Sequence, residues 1–203
     1  MVDGWTVWPV VGYLAGSIPF GLLLARLFGA GDLRRIGSGN IGATNVLRTG
    51  RYGLAAATLV LDALKGAPPA WLAARHGDAV LGAWTGFAAV LGHCFPLWLR
   101  FRGGKGVATS AGVLLALTPA VFLVTAGAFA AVVSTTRYVS LGSLTGALVA
   151  PLFTFAFGDV QVGYAYVAMA LVVVVRHADN IVRLLSGTEN RLSFGRDRNG
   201  DGD

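Results

Sequence analysis

Charge and cysteine are both scarce in this sequence. Charged residues make up 13% of the 203 positions, against about 25% in a typical soluble domain. Hydrophobic residues make up 55%, and this composition predicts a membrane protein. Cys94 is the single cysteine, which excludes an intrachain disulfide and a cysteine-based metal site. We expect no metal and no other cofactor.

The N-terminus also lacks the basic segment of a signal peptide, since Asp3 stands there and no cleavage site follows, so we interpret the first apolar run as retained. Apolar runs long enough to span a membrane occupy residues 5–28, 53–74, 80–99, 138–157 and 160–175. Segment 107–135 is long for one helix and short for two. Because proline favours the first turn of a helix, Thr118-Pro119 predicts a break there.

The basic residues indicate how the chain is threaded through the membrane. Most of them lie in three polar stretches at 29–52, 100–106 and from 176 onward, whereas the two short turns between the other runs hold Arg75 alone. Lys and Arg collect in cytoplasmic loops, so we expect these stretches to face the cytoplasm, with the N-terminus outside. They share one side if 107–135 forms two helices. We therefore predict an all-α membrane protein with seven transmembrane helices and a cytoplasmic C-terminus; six spans with an exposed basic tail are the alternative.

The net charge of +6 would point to nucleic acid in a soluble protein. Here the cations lie in loops between apolar runs, so the expected partners are anionic lipid headgroups or anionic substrates. We expect no nucleic-acid partner.

The first polar stretch contains GSGNIGATNVLR at residues 37–48. Its glycines permit tight turns, and an early polar residue can cap a short helix that begins near Ile41. The polar side chains that could bind an anion with hydroxyl groups are Ser38, Asn40, Thr44, Asn45 and Arg48. The last three lie on or beside one face of that helix, with no carboxylate among them. Helix capping alone is the alternative, and it would not explain the whole run.

The second polar stretch interrupts an apolar run with four residues, Gly103, Gly104, Lys105 and Gly106. Glycines let the backbone come close to a ligand, and the first turn of the next helix offers unpaired N–H groups and a positive dipole end. Lys105 adds a mobile cation, so the stretch suits a phosphate. A solvated basic loop between two membrane helices is the alternative.

The last polar stretch begins at Arg176 and reads RHADNIVRLLSGTENR. On a helix, Asn180 and Arg183 follow Arg176 at i+4 and i+7, and His177 precedes Asn180 by three residues. These groups could bind an anion. An amphipathic helix on the membrane surface, with its arginines on lipid headgroups, is equally compatible with the pattern.

Two charged residues lie inside the second apolar run. A lone charge at mid-membrane costs roughly 2.5–3.5 kcal/mol, so Asp62 and Lys65 need partners. At spacing i, i+3 they can face one another, either as an internal ion pair or beside a substrate. His93, at the end of the third run, is open in the same way between a hydrogen-bonding core residue and a site residue.

Taken together, GSGNIGATNVLR, GHCFPLWLRFRGGKG and RHADNIVRLLSGTENR resemble the three motifs of the bacterial acyl-phosphate:glycerol-3-phosphate acyltransferases of the PlsY type. LDALKG at 61–66 and RYVSLGSLTG at 137–146 are similar to further segments of that family. The resemblance implies one integral-membrane domain over 1–192, and we expect a disordered tail over 193–203. It also implies location in the bacterial inner membrane, with a site that faces the cytoplasm.

The resemblance implies transfer of a fatty acyl group from acyl phosphate to the sn-1 hydroxyl of glycerol 3-phosphate. The products are 1-acylglycerol 3-phosphate (lysophosphatidate) and phosphate, for phospholipid synthesis. The implied catalytic residues are His177, Lys105 and Asn180. The implied binding residues are Ser38, Asn40, Thr44, Asn45, Arg48, Gly103, Gly104, Gly106, Ser143 and Arg183.

We predict that Lys105 and the amides of 103–106 hold one phosphate. Arg48, with Ser38, Asn45 and Asn180, is predicted to hold the other phosphate and the glycerol hydroxyls. His177 or the substrate's own phosphate serves as the base. No Ser/His/Asp set is evident, so direct transfer without an acyl-enzyme is expected. The expected partners are both substrates and membrane lipids; oligomeric state stays open, and a monomer is compatible with the sequence. The alternative function is a transporter for a phosphorylated metabolite, which would favour two related halves that we do not find.

Overall fold

A computed structural model describes residues 4–192, and in this part of the chain every regular element is helical. The α-helices are α1 (Gly4–Gly16), α2 (Phe20–Leu27), α3 (Ala43–Leu47), α4 (Tyr52–Leu64), α5 (Ala67–His76), α6 (Ala79–Cys94), α7 (Val107–Leu117), α8 (Pro119–Thr136), α9 (Val139–Phe157), α10 (Val160–Arg176) and α11 (Ala178–Leu185). Short 3₁₀ turns cover Leu33–Arg35 and Leu97–Leu99. The predicted disordered tail at 193–203 lies outside the described residues.

Within residues 4–192, four segments are long and apolar enough to cross a membrane, namely Gly4–Leu27, Ala79–Leu99, Pro119–Thr136 and Val139–Phe157. Helices α10 and α11, bent by 61° relative to each other, would together make a fifth. The predicted run at 53–74 is divided into α4 and α5. An all-helical membrane architecture is therefore confirmed, whereas the count of seven spans and the sidedness of the termini stay predictions.

The expected break near Thr118-Pro119 is present. Helix α7 ends at Leu117, and Pro119 begins α8, where its missing N–H removes no hydrogen bond. At the end of α8, the carbonyl of Arg137 accepts a hydrogen bond from the N–H of Leu192 at 2.8 Å. Asn180, in the same C-terminal segment, accepts a hydrogen bond from Lys105, which precedes α7. Helix α7 therefore begins, and helix α8 ends, at the same end of the bundle. We call this the polar end.

Helices α1 and α6 pack in direct backbone contact. A Cβ added to Gly16 would lie 2.0 Å from the carbonyl oxygen of Ala89, and one added to Gly92 would lie 2.1 Å from that of Tyr13. Small residues permit such close approach between membrane helices. Helix α6 also packs against α5, α7 and α10, so it is the centre of the bundle.

A second, smaller apolar cluster supports the first polar stretch. Leu33 and Val46 are fully buried against Ala25 of α2 and Leu54 and Ala55 of α4. This cluster packs segment 33–47 against two helices. The packing fixes the position of the segment's polar side chains at the polar end.

Candidate active site

The three polar stretches meet at one end of the bundle, as the sequence predicted. The Lys105 ammonium donates a hydrogen bond to the Asn180 side-chain oxygen. The Arg176 guanidinium donates to the carbonyls of Gly103 at 2.8 Å and Gly104 at 3.0 Å. Side chains from residues 38–50 line the same cavity as Lys105, His177 and Asn180, with a volume of about 910 Å³.

Asn45 organises the first polar stretch from inside. Its amide nitrogen donates to the carbonyls of Leu33, Ile36 and Asn40 at 2.7–3.0 Å. Its amide oxygen accepts from the N–H and the hydroxyl of Ser38 at 3.0 and 3.3 Å. Because its hydrogen-bonding groups are committed to the loop, Asn45 serves as a scaffold for this stretch; it also lines the main cavity, and its contact with a substrate stays a prediction.

The other polar residues of this stretch face the cavity. Asn40 accepts from the N–H of Gly42 at 2.8 Å, so helix α3 begins at Ala43, two residues later than expected. Its amide nitrogen is left for a ligand, because the amide oxygen makes that bond. Ser38, Thr44 and Arg48 line the cavity, and their contact with a substrate stays a prediction.

The glycine loop differs in detail from the prediction. The N–H groups of Gly103 and Gly104 donate to the carbonyls of Cys94 and His93, both at 3.0 Å, so they cannot bind a phosphate. A Cβ on Gly104 would lie 2.0 Å from His93 Nε2, so glycine is needed there for close packing. The role of these two glycines is therefore corrected from phosphate contact to loop architecture.

The start of α7 retains free donors. Gly106 has a left-handed φ of 85° and turns the chain into the helix. Within residues 4–192, the N–H groups of Lys105 and Gly106 and of Val107 and Ala108 have no acceptor. They lie beside the Lys105 side chain at the positive end of an 11-residue helix, where an anion is favoured.

Burial lowers the pKa of the Lys105 ammonium to about 8. Desolvation is the main cause, and the guanidinium groups of Arg183, Arg48 and Arg176 lower the pKa further, while Glu189 opposes them. Lys105 is therefore mostly protonated at pH 7 and loses its proton as the pH rises through about 8.

His177 lies buried at the junction of α10 and α11 and lines the cavity. Its Nδ1 lies 2.7 Å from the carbonyl oxygen of Val173. Since a carbonyl only accepts hydrogen bonds, Nδ1 carries the hydrogen in the neutral ring and Nε2 keeps the lone pair. The ring can therefore act as a base through Nε2.

Glu189 is a site residue that our sequence reasoning missed. Its carboxylate accepts hydrogen bonds from Asn180 at 2.6 Å, Arg183 at 2.8 Å and Ser140 at 2.9 Å. Burial raises its pKa, but these donors outweigh burial, so the pKa lies below the ordinary value. The residue follows α11 and belongs to no helical repeat, so its position as an acid between Arg183 and Arg191 was the available signal.

Arg183 departs from its predicted place. It is paired with Glu189 and does not line the main cavity, and its direct contact with a substrate stays a prediction. Ser143, on α9, lines the cavity as expected and donates its hydroxyl to the carbonyl of Val139 at 2.8 Å.

The charged residues inside the bundle pair with one another. Lys65 Nζ lies 2.7 Å from Asp62 Oδ1 and donates to the carbonyl of Ile18 at 2.9 Å, which confirms the predicted internal ion pair. His93 Nδ1 lies 3.7 Å from the same carboxylate oxygen. Asp62 and His93 also line the main cavity, so His93 is both a core residue and part of the cavity wall.

Away from the polar end, the cavity wall is apolar. It includes Leu59, Leu114, Phe122, Ala147 and Met169. Tyr166, whose hydroxyl is 2.8 Å from Thr118 Oγ1, also belongs to this wall. One cavity thus joins a cationic, donor-rich part to an apolar part deep in the bundle. Residues 4–192 contain no group of three or more acidic, histidine or cysteine side chains arranged to hold a metal.

Comparisons with known proteins agree with this arrangement. The sequence model of a family described as glycerol-3-phosphate acyltransferase matches residues 6–187. A protein of that name from Sinorhizobium medicae (strain WSM419) is 54% identical over 183 residues, which are 90% of each chain. Another from Mesorhizobium japonicum is 53% identical over 183 residues, 90% of this chain and 93% of the relative.

Solved structures are similar over almost the whole chain. The glycerol 3-phosphate form of PlsY (YgiH), an integral membrane glycerol 3-phosphate acyltransferase, matches with a TM-score of 0.90 at 40% identity. Its lysophosphatidic acid form matches with a TM-score of 0.88 at 38% identity. In both cases the match covers 94% of this chain and 96% of the other.

Proposed function

Because the chain belongs to the PlsY-type glycerol-3-phosphate acyltransferase family, we propose that it acylates glycerol 3-phosphate in membrane lipid synthesis. The acyl donor is a fatty acyl phosphate, and the product is lysophosphatidate. The observation that carries this proposal is the main cavity, in which Lys105 and the free donors of α7 adjoin an apolar wall. Such a cavity accommodates a phosphate and a hydrocarbon chain at the same time.

The cationic part of the cavity supports the binding of two phosphates. Lys105 and the first N–H groups of α7 hold one of them. Arg48, with Ser38, Thr44 and Asn40, holds the other and the glycerol hydroxyls. Asn180, fixed between Lys105 and Glu189, keeps the ammonium group directed into the cavity.

The reaction is a direct acyl transfer. The sn-1 oxygen forms a bond to the acyl carbon, and the bond from that carbon to the phosphate oxygen breaks. The hydroxyl proton passes to Nε2 of His177; a substrate phosphate, whose second pKa is about 6, is the other base available. Phosphate leaves an acyl phosphate readily, so no strong acid is required.

The chemistry of the site supports transfer without an acyl-enzyme. Within residues 4–192 no serine is hydrogen-bonded to His177, as an activated nucleophile would be. Trapping a covalent acyl-protein in the absence of glycerol 3-phosphate would overturn this scheme.

The direct experiment uses the purified protein in detergent with a long-chain acyl phosphate. We expect phosphate release and lysophosphatidate formation that both depend on glycerol 3-phosphate, and that both fall by roughly 10- to 100-fold in Lys105→Ala. Acylation from an acyl thioester but not from acyl phosphate would overturn the donor assignment. Uptake of glycerol 3-phosphate into sealed vesicles without chemistry would favour a transporter.

The site faces the cytoplasm and the protein lies in the inner membrane under this proposal. The support is the concentration of Lys and Arg at the polar end, which is typical of cytoplasmic loops. Glycerol 3-phosphate is a charged, water-borne substrate, so a site at that end is accessible to it.

A further inference from the structure

A second cavity of about 490 Å³ lies at the polar end, outside the first. Residues from all three polar stretches line it. Four of its residues, Ser38, Asn40, Lys105 and Asn180, also line the main cavity, so these side chains form a common wall. A ligand in this outer cavity would therefore lie next to the proposed phosphate sites.

The lining of the outer cavity is strongly cationic. The basic side chains are Arg34, Arg102, Lys105, Arg176 and Arg183, and the carboxylate in the lining is that of Asp179. Within the described part of the chain, Arg102 has no hydrogen-bond or ion-pair partner for its side chain, and it is exposed. Arg34 is also exposed and pairs with Asp32 at 2.8 Å. Asp32 therefore holds the Arg34 guanidinium, whereas the Arg102 guanidinium is free to contact a ligand.

We propose that the outer cavity is a second anion site. It binds a phosphate monoester on its way from water to Lys105, or inorganic phosphate on its way from Lys105 to water. This inference rests on the proposed function, because that reaction has one water-borne phosphate substrate and one water-borne phosphate product. A cavity lined by charges of one sign concentrates counter-ions and raises association rates by about 10–10³-fold. The apolar side chains of its described lining are Ile41, Val175 and Ala178, so it does not suit an acyl chain.

Binding of inorganic phosphate to the full chain tests the second site directly. In nanodiscs of phosphatidylcholine at pH 7, we expect calorimetry to give three equivalents for the wild type, two in the main cavity and one in the outer cavity. The double variant Arg34→Gln/Arg102→Gln should bind two, and the matched control Arg35→Gln should bind three. Arg35 carries the same charge in the same 3₁₀ turn but does not line the cavity. The same number of equivalents in the wild type and in the double variant would overturn the proposal.

An anionic lipid headgroup offers the same chemistry as free phosphate, so the source must be separated. Replacing part of the phosphatidylcholine by phosphatidylglycerol should leave all three equivalents of phosphate bound. Loss of one equivalent in those nanodiscs would assign the outer cavity to a lipid headgroup and overturn a water-borne ligand.

Kinetics give a second readout. We expect the double variant to lose about three- to tenfold in kcat/KM for glycerol 3-phosphate at low salt, through KM, with a smaller loss at high salt because ions screen exposed charges. An effect equal to that of Arg35→Gln would contradict the site. If the protein acylated no glycerol 3-phosphate at all, the proposed function would fail, while the binding stoichiometry would still decide the outer cavity.

Discussion

Lys105 lines both cavities and donates a hydrogen bond to Asn180 of the last polar stretch. Its pKa of about 8 means that the ammonium form predominates below pH 8 and is lost above it. We therefore expect kcat/KM for the phosphate substrates to fall as the pH rises through about 8. The measurement is a pH–rate profile of the purified protein from pH 6.5 to 9.5.

Two substitutions make this prediction specific to Lys105. Lys105→Arg keeps a permanent charge, so its profile should show no loss near pH 8. Lys105→Ala removes a charge-assisted hydrogen bond, which corresponds to a loss of roughly 10- to 100-fold in kcat/KM. An unchanged alkaline limb in Lys105→Arg would assign the titration to another group.

His177 offers a second test at the scale of one residue. Because its Nε2 keeps the lone pair, His177→Gln removes the base while preserving a polar side chain of similar size. We expect kcat to fall by about 10²–10⁴-fold, the usual contribution of a general base. A loss below tenfold would assign the proton to the substrate's phosphate.

Glu189 links stability to pH. Its pKa is lowered in the folded state, so its contribution to stability is present above the ordinary glutamate pKa and is lost as the pH falls through the folded value. We expect Glu189→Ala to lower the free energy of unfolding by about 1–3 kcal/mol at pH 7. The difference in free energy of unfolding between the wild type and Glu189→Ala should disappear when the pH falls below about 4. Thermal unfolding in detergent at both pH values checks it, and an equal deficit at both would contradict the assignment.

At the scale of elements, the α1–α6 contact is set by glycine. Gly16→Ala places a methyl group against the Ala89 carbonyl, and we expect it to lower the free energy of unfolding by about 1–3 kcal/mol. Gly127→Ala, on α8, is the matched control, because nothing lies within 4 Å of the added atom. Thermal unfolding of both variants measures the difference; equal midpoints would show that the two helices can separate without cost.

The sequence predicted the helices and the breaks between them more accurately than the hydrogen bonds of individual side chains. Pro119 predicted the division of α7 from α8, since proline has a local preference, and the distribution of arginines predicted that residues 100–106 and 176–191 meet. The scaffold role of Asn45 and the place of Glu189 were missed. Both depend on partners distant in the chain that no periodic pattern records, such as Leu33 for Asn45 and Ser140 for Glu189.

The glycine loop shows the same limit. Composition indicated a phosphate loop, but it could not indicate which N–H groups the fold uses. The turn after α6 commits the amides of Gly103 and Gly104 to the carbonyls of that helix, which leaves the donors that follow them for a ligand.

For the whole molecule, the sidedness of the polar end can be measured by cysteine labelling. Cys94 is fully buried, so it gives no background. Thr188 is exposed after α11, at the polar end. Gln161 is exposed in the first turn of α10, and this 17-residue helix, about 25 Å long, separates it from the polar end. We expect a membrane-impermeant maleimide to label Gln161→Cys in intact spheroplasts and Thr188→Cys after permeabilisation alone. Labelling of both, or the reverse order, would overturn the proposed topology.

The division of the main cavity into a cationic part and an apolar part has a consequence for the membrane itself. Under the proposed function, a lysophosphatidate formed there would have its headgroup beside Lys105 and its tail against Leu114 and Met169, which is the orientation of a lipid in a bilayer. It would then enter the surrounding leaflet without turning over. New lipid would then accumulate on one side, and the cell would need separate transbilayer transport to enlarge the opposite leaflet.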